Sequence, residues 1–538
     1  MSRDVDRREF LTLAGTAAGA ATLAGCSGGN ETATETNDGS TATDTEASEE
    51  LPEPETREEH LQRTNRLVHD DAPWIFLNRQ YSVYGKSADI EWEARRDERI
   101  DGYAIEPTGS KSSVTITQSK MDTGLDPHDH RETTTDNIVT QAYEGLLERD
   151  REGKVINQLA TGYERLEAGQ VRFELRSGVS FHSGDSLTKE DVAFSINRIV
   201  DPEAGDLESS QSDQLAGVTG AEPADGDSAV IVSSDGINPV VFALFATYCD
   251  IVNKSWIESN DTAYINSNME GTGPFMLDTY EQDVQVVFES YDDYYMDAAP
   301  ADQLTIQSAS EPSTRVNQLL NDETDIIVNV PPQNISQIQN ADNASISAVP
   351  STRIIYNAMI YNREPFDSVE FRQAMNHAVD LESIVSNVLG SFGDQTGQPT
   401  LEGFTGYNPD LDPYPYDTDE AERLVEESGY AGAEIELHTP SGRYLKDLEI
   451  SQAVVSYIDE LENVSASVKQ RDFGTLVDEL VGDLEASPSF YLIGWGNAAF
   501  DASQTIIPLL TTGGALTSYN NDRVDELMDQ AQSMGGES

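Results

Sequence analysis

Apolar and polar residues follow two rhythms along this chain. Val114-Thr-Ile-Thr-Gln118, Gln170-Val-Arg-Phe-Glu-Leu-Arg176 and Gln285-Val-Val-Phe-Glu289 read as half-buried β-strands, the last two with apolar side chains at alternate positions. Ile435-Glu-Leu-His438 and Phe490-Tyr-Leu-Ile-Gly-Trp495 read as further strands, the second ending in a Gly-Trp-Gly turn. Helical periodicity predicts helices over 138–147, 371–389, 418–428 and 448–462, the third stopped by Gly429. Thr188 offers an N-cap with Asp191 three residues on, and Leu187 with Val192 forms a hydrophobic staple, so a helix should run to Ile199. Residues 201–228 are acidic and rich in Gly and Ser, which reads as a loop excursion. A short helix over 313–320 precedes the strand 325–329. The alternation predicts a mixed α/β body without a 20–50 residue repeat.

The first 56 residues follow neither rhythm. Arg7-Arg8 and then Phe10-Leu11 match a twin-arginine export signal, and the apolar stretch 10–23 is too short to cross a bilayer. It stops at Leu23-Ala-Gly-Cys26, which resembles a lipobox with Cys26 as the lipidated first residue of the mature protein. Residues 27–56 hold Ser, Thr, Gly, Asp and Glu with almost nothing apolar, so they read as a disordered tether. A localisation on the extracellular face of the membrane, held by lipid, is expected.

Charge sharpens the picture. The chain of 538 residues carries 97 Asp and Glu against 33 Lys and Arg, a net charge of −64. High charge can mean disorder, but 21 Tyr, 16 Phe and 4 Trp spread along the chain argue for a folded body. An acidic, lysine-poor surface stays hydrated in concentrated salt, which points to a halophilic source. Nucleic-acid binding is excluded, since phosphates require a basic face. Asn-x-Ser/Thr sequons begin at Asn30, Asn253, Asn260, Asn334, Asn343 and Asn463 and suit an exterior location.

Catalytic chemistry is thin. No G-x-S-x-G or H-E-x-x-H occurs, and Gly271-Thr-Gly273 lacks the third glycine of a dinucleotide fingerprint. His128-x-His130 reads as a polar loop, because no third metal ligand is implied nearby. Cys249 lies in an apolar stretch and reads as a buried small residue. No enzyme activity, cofactor or metal is expected.

Several motifs in one order carry a resemblance. Leu125-Asp-Pro-His-Asp, Ala142-Tyr-Glu-Gly-Leu-Leu, Phe173-Glu-Leu-Arg-Ser-Gly-Val, Gly271-Thr-Gly-Pro-Phe275, Arg372-Gln-Ala-Met-Asn-His-Ala-Val-Asp380 and Ile493-Gly-Trp-Gly496 follow one another. Together they resemble the family 5 extracellular solute-binding proteins, which serve peptide, dipeptide and nickel ABC importers. The resemblance implies a two-lobed, type II periplasmic-binding-protein-like α/β fold with an extra subdomain in the first lobe. It also implies a peptide-like small solute enclosed between the lobes, and delivery to permease and ATPase subunits. The boundaries expected are lobe 1 at 113–155 and 269–355, the extra subdomain at 156–268, lobe 2 at 356–512, and a return to lobe 1 at 513–538. Ligand contacts are expected from Trp495, Asn497 and Asp501. Arg353, Tyr356, Asn357, Tyr361 and Asn362 are expected on the inter-lobe crossing, and Tyr248 in the pocket or its packing. In the family an Asp shortly after the Gly-Trp commonly holds the peptide amine. Here Ala498 stands there, so either Asp501 substitutes or the ligand lacks a free amine, as an oligosaccharide or metal chelate would. A lipid-anchored sensor and a secreted glycoside hydrolase are competing classes.

The resemblance also implies a circular permutation. Family members continue past the Tyr519-Asn-Asn-Asp-Arg-Val-Asp525 region with a helix, an acidic-x-x-Pro turn and returning strands. Residues 57–92 carry that pattern here: a helical stretch over 56–69, then Asp70-Asp-Ala-Pro73-Trp-Ile-Phe-Leu77. Residues 57–112 are therefore expected to complete lobe 1, with 102–112 as the new joint.

Overall fold

A computed structural model describes residues 53–534, apart from 122–123, 131–132, 235–243, 483–486 and the single positions 168, 213, 216, 227, 442 and 515. Arg7, Arg8, Cys26 and the tether to residue 52 lie outside the described residues.

Thr56 opens the first helix, Arg57–Asp71, with a reciprocal capping box to Glu59, and Ala72 in the left-handed conformation followed by Pro73 ends it. The chain then enters the strand Trp74–Ser87, which is buried along most of its length. It runs antiparallel to Ala344–Met359, from Trp74 opposite Ala358 to Ser87 opposite Ala344. These two long strands are the spine of an 11-stranded sheet. On one side lie Ile326–Ile327, Ser113–Gln118, Gln303–Ser308, Gln285–Ser290 and Phe275–Glu281; on the other lie Phe490–Gly496, Ala433–Thr439 and Val464–Gln470. The eleventh strand, Gly393–Gln395, pairs with Asn78–Gln80. The first group belongs to lobe 1 and the second to lobe 2, and among the described residues only the two spine strands pass between them.

Each lobe has its own buried cluster. Ile116, Tyr143, Phe275, Phe288 and Ile306 centre the first; Leu77, Phe371, Met375, Leu437 and Phe490 centre the second. A four-stranded antiparallel sheet, in the order Ala160–Glu167, Gln170–Leu175, Ala229–Ser234, Val218–Pro223, packs its apolar face on the helix Lys189–Val200 and forms the extra subdomain. Thr188 and Asp191 form the expected capping box of that helix. Among the described residues no helix is long and apolar enough to cross a membrane.

Three expectations are corrected. Helix 138–147 is displaced to Thr133–Val139, because tertiary bonds claim the backbone beyond it: Gly273 N donates to Ala142 O at 2.9 Å and Phe275 N to Gln141 O at 3.2 Å. The excursion 201–228 contains the strand Val218–Pro223, which forms a hairpin with Ala229–Ser234; Gly220 and Pro223 within it mask the strand pattern in the composition. Residues 57–112 and 513–538 do not both complete lobe 1. The helices Arg57–Asp71 and Asp522–Ser533 pack together on lobe 2, where Leu61, Val68, Val524 and Met528 share a cluster with Trp74, Tyr356 and Tyr491. Asp71 fastens the pair by accepting from Tyr519 Oη at 2.7 Å and Asn521 Nδ2 at 2.8 Å. Only from about Val83 onward does the N-terminal segment enter lobe 1, with Tyr84, Ile90 and Trp92 in its core.

Candidate functional site

The spine strands change register where they cross between the lobes, with shifts between Phe76 and Asn78 and between Arg79 and Tyr81. Side chains hold the crossing together. Ser351 Oγ donates to Gln80 O at 2.8 Å, and Arg79 donates from Nε to Ser351 O at 2.5 Å and from Nη1 to Glu402 O at 3.0 Å. Burial pushes the Arg79 guanidinium down to about 10. Arg353 lies half-buried beside this crossing, 3.7 Å from Glu98.

The strand Phe490–Gly496 ends at the same level, and the loop behind it reaches back to lobe 1. Asn497 closes the loop by donating from Nδ2 to Asp501 O at 2.8 Å and Thr505 Oγ1 at 2.9 Å. Asp501 N-caps the helix Ala502–Leu510 and accepts from Ser503 N at 2.9 Å and Ser503 Oγ at 2.6 Å. Between them, Ala498 O accepts from Thr247 Oγ1 at 3.4 Å and Ala499 O from Arg149 Nη2 at 3.1 Å. Phe500 lies against the guanidinium of Arg149 at 4.6 Å. The two lobes therefore touch directly through this loop.

Behind the contact, lobe 1 and its subdomain enclose a cavity of about 70 Å³, lined in part by Arg95, Arg99, Asp101, Glu144, Glu148 and Asp250. Arg95 is taken by Asp97, at 2.7 and 3.0 Å, and Arg99 Nη2 donates to Thr247 O. Burial pushes Glu144 and Glu148 up to about 7 and Asp250 up to about 6. Pockets that enclose organic ligands are typically about 300–1,000 Å³. This cavity is smaller, and its lining comes from lobe 1 and the subdomain alone.

The residues singled out from the sequence fall into two groups. Trp495, Asn497, Asp501 and Arg353 gather at the crossing. Trp495 is half-buried, with Nε1 donating to Gln504 O at 3.2 Å. The carboxylate of Asp501 is committed to its cap and to Arg57, at 2.6 and 2.9 Å. Asn497 is 2 % exposed, with its side chain closing the loop. Tyr356, Asn357, Tyr361 and Asn362 lie beyond the crossing, deeper in lobe 2 or at its far end. Tyr356 stacks on Trp74 at 3.7 Å, and Asn357 is fully buried in the sheet. Tyr361 carries Arg372 over its ring at 4.3 Å, and Asn362 is exposed on the turn after the strand. The strands cross near Gln80 and Ser351 instead, several residues earlier. Tyr248 packs half-buried against the subdomain core. His128 is buried, with Nε2 at 2.7 Å from Asp250 O and Nδ1 at 3.0 Å from Arg198. Among the described residues no group of three or more His, Cys, Asp or Glu is placed to hold a metal. Sequence reasoning missed Arg149, Gly153, Thr247 and Phe500, which make the inter-lobe contact; no periodicity or motif marks them.

Residues 154–516 match the model of the bacterial extracellular solute-binding proteins, family 5. The glutathione-binding protein GsiB of Escherichia coli K12 is 23 % identical over 420 residues, covering 76 % of this chain and 81 % of the relative. HbpA2 from Haemophilus parasuis superposes with a TM-score of 0.68 at 19 % identity, over 79 % of this chain and 89 % of its own. The periplasmic binding protein DppA of Helicobacter pylori, in complex with the peptide STSA, superposes at 0.63 and 16 % identity, over 79 % and 87 %. The solved structures establish the fold.

Proposed function

The chain belongs to the bacterial extracellular solute-binding proteins of family 5, and from that premise we propose that it captures a peptide-like small solute between its lobes for an ABC importer. The observation that carries the reading is the meeting of the second-lobe loop 497–501 with lobe 1, at a two-strand crossing and beside a charged cavity. Two strands are a narrow joint, so the lobes can separate to admit a solute and close to exclude water from it. The closed form is what a permease and its ATPase would receive. DppA, with its peptide, and GsiB, by its name, support the peptide-like class.

A second reading rests on Asp501. With Ala498 beside it and its own carboxylate held by Arg57, the loop presents no free carboxylate to a ligand ammonium. That favours a solute such as an oligosaccharide or a metal chelate. Mass spectrometry of small molecules released on denaturing the natively purified protein tests both. A peptide supports the first reading, a sugar or chelate the second, and recovery of no small molecule at all counts against solute capture.

The reading includes export through the twin-arginine signal at Arg7 and Arg8, and lipidation at Cys26 on the outer face of the membrane. Cys26→Ser should release the protein to the medium or leave it unprocessed; unchanged membrane retention would refute lipidation. It also includes permutation. The packing of the helix Arg57–Asp71 on Asp522–Ser533, and the central place of the strand Trp74–Ser87, support residues 57–92 as the continuation of the C-terminal helix in space. A chain running from 113 to 538 and then, through a linker, from 53 to 111 should fold with the same circular dichroism spectrum.

A further inference from the structure

Phe500 belongs to the second lobe by connectivity and to its buried cluster, yet its ring also reaches into the first. Its backbone has φ +56°, a left-handed conformation that a bulky side chain rarely adopts. Second-lobe hydrogen bonds hold it there: Thr405 N donates to Phe500 O at 3.0 Å, Ala502 N donates to Thr405 O at 2.9 Å, and the Phe404 ring packs at 4.9 Å. The ring is 8 % exposed. It enters the hairpin of lobe 1 whose strands are Leu147–Arg149 and Val155–Asn157. At the tip of that hairpin stands Gly153, where a Cβ would lie 2.4 Å from the Phe500 ring; φ there is +91°. Arg149 forms the other wall. Its guanidinium lies 4.6 Å from the ring centroid, while Nη1 donates to Gly153 O at 2.7 Å and Nη2 to Ala499 O across the lobes. Ala499 is itself part of the subdomain core.

We propose that Phe500 is the latch of lobe closure, a second-lobe knob seated in a socket made by Gly153 and Arg149, and that this contact sets the closed population before any solute is bound. The inference rests on the two-lobed capture reading and names the positioning residue that regulates it. Two features support a closure contact over ordinary packing. The knob is held out of the preferred backbone region, where a fold under no demand at that point would relax it. The socket needs a residue without a side chain. An equilibrium between open and closed lobes responds to any contact made in only one of them.

Small-angle X-ray scattering of the full chain in molar KCl tests the latch on wild type, Phe500→Ala and Gly153→Ala, with circular dichroism and thermal unfolding alongside. Wild-type scattering should fit this structure. Both variants should keep the wild-type spectrum and show a larger radius of gyration, as separated lobes require. Variants that scatter as wild type overturn the proposal. Should Phe500→Ala not fold, Gly153→Ala decides alone, because it leaves every second-lobe side chain in place. Solute released from wild type together with unopened variants sinks the latch and leaves capture standing. Opened variants with no solute recovered from wild type sink capture and leave the latch.

Discussion

Arg57 and Asp501, 444 positions apart, form a bidentate ion pair at 2.6 and 2.9 Å, with both residues under one-tenth exposed. The first turn of the N-terminal helix is thereby bolted to the loop that meets lobe 1. Removing one partner of a buried pair strands the other charge, at a cost of about 3–5 kcal/mol. Arg57→Met and Asp501→Asn should each lower the midpoint of denaturant unfolding by that order. The double variant should lose less than the two singles added, since the stranded charge is then absent. Additive losses would show that the two side chains do not act together.

Gly271 permits a close backbone approach in the first lobe. A Cβ there would lie 1.9 Å from Ala142 O, which is main chain and cannot swing aside. Gly271→Ala should cost at least about 3 kcal/mol, the upper part of the range for overpacking. Gly162→Ala meets nothing within 4 Å and should stay within about 0.5 kcal/mol of wild type. Equal melting temperatures for the two variants would contradict the geometry.

Glu144 gives a signed pH effect. Burial pushes its carboxyl up to about 7, against donors from Thr272 Oγ1 at 2.7 Å, Tyr294 Oη at 2.7 Å, Tyr295 Oη at 2.9 Å and Gln158 Nε2 at 3.1 Å. The folded value lies above the unfolded one of 4.5, so this stabilisation is complete below about pH 4.5 and is lost as pH rises through about 7. His128 and His182, both pushed down to about 4 by burial, act in the opposite sense: their stabilisation is present above about pH 6.5 and lost as pH falls towards 4. Wild type and Glu144→Gln share those histidines, so subtracting their stability–pH curves isolates Glu144. The difference should change by up to about 3 kcal/mol between pH 4.5 and 7. A flat difference would mean that the four donors hold Glu144 ionised throughout.

Salt should govern the whole body. Lowering KCl from about 1 M to about 0.1 M lengthens screening from about 3 Å to about 10 Å, which exposes neighbouring carboxylates to one another under a net charge of −64. The thermal midpoint should fall steadily on dilution. A midpoint indifferent to KCl would show that the charge is dispersed widely enough to be tolerated.

Local grammar was legible and distant partnership was not. Thr188 with Asp191, Gly429 with its φ of +80°, and the alternating strand at Gln170 were readable because each rests on neighbours within a few residues. The helix expected over 138–147 failed where Gln141 and Ala142 gave their carbonyls to Phe275 and Gly273, more than 130 positions away. At the candidate site, Trp495 and Arg353 could be singled out because the Ile493-Gly-Trp-Gly496 motif is local in sequence, and the structure sets both beside the crossing on paired strands. Arg149, Gly153 and Phe500 could not, because what unites them is a left-handed backbone and an absent side chain, neither of which leaves a pattern in composition.

The central place of the strand Trp74–Ser87 also has a kinetic side. Its principal partner begins at Ala344, so 256 residues lie between the end of one spine strand and the start of the other. At about 5–20 residues per second, a ribosome takes roughly 13–50 s to cover that interval. For most of that time the nascent chain carries a long strand whose principal partner does not yet exist. Its solubility in the waiting period falls to the carboxylates around it and to whatever chaperones the ribosome can recruit.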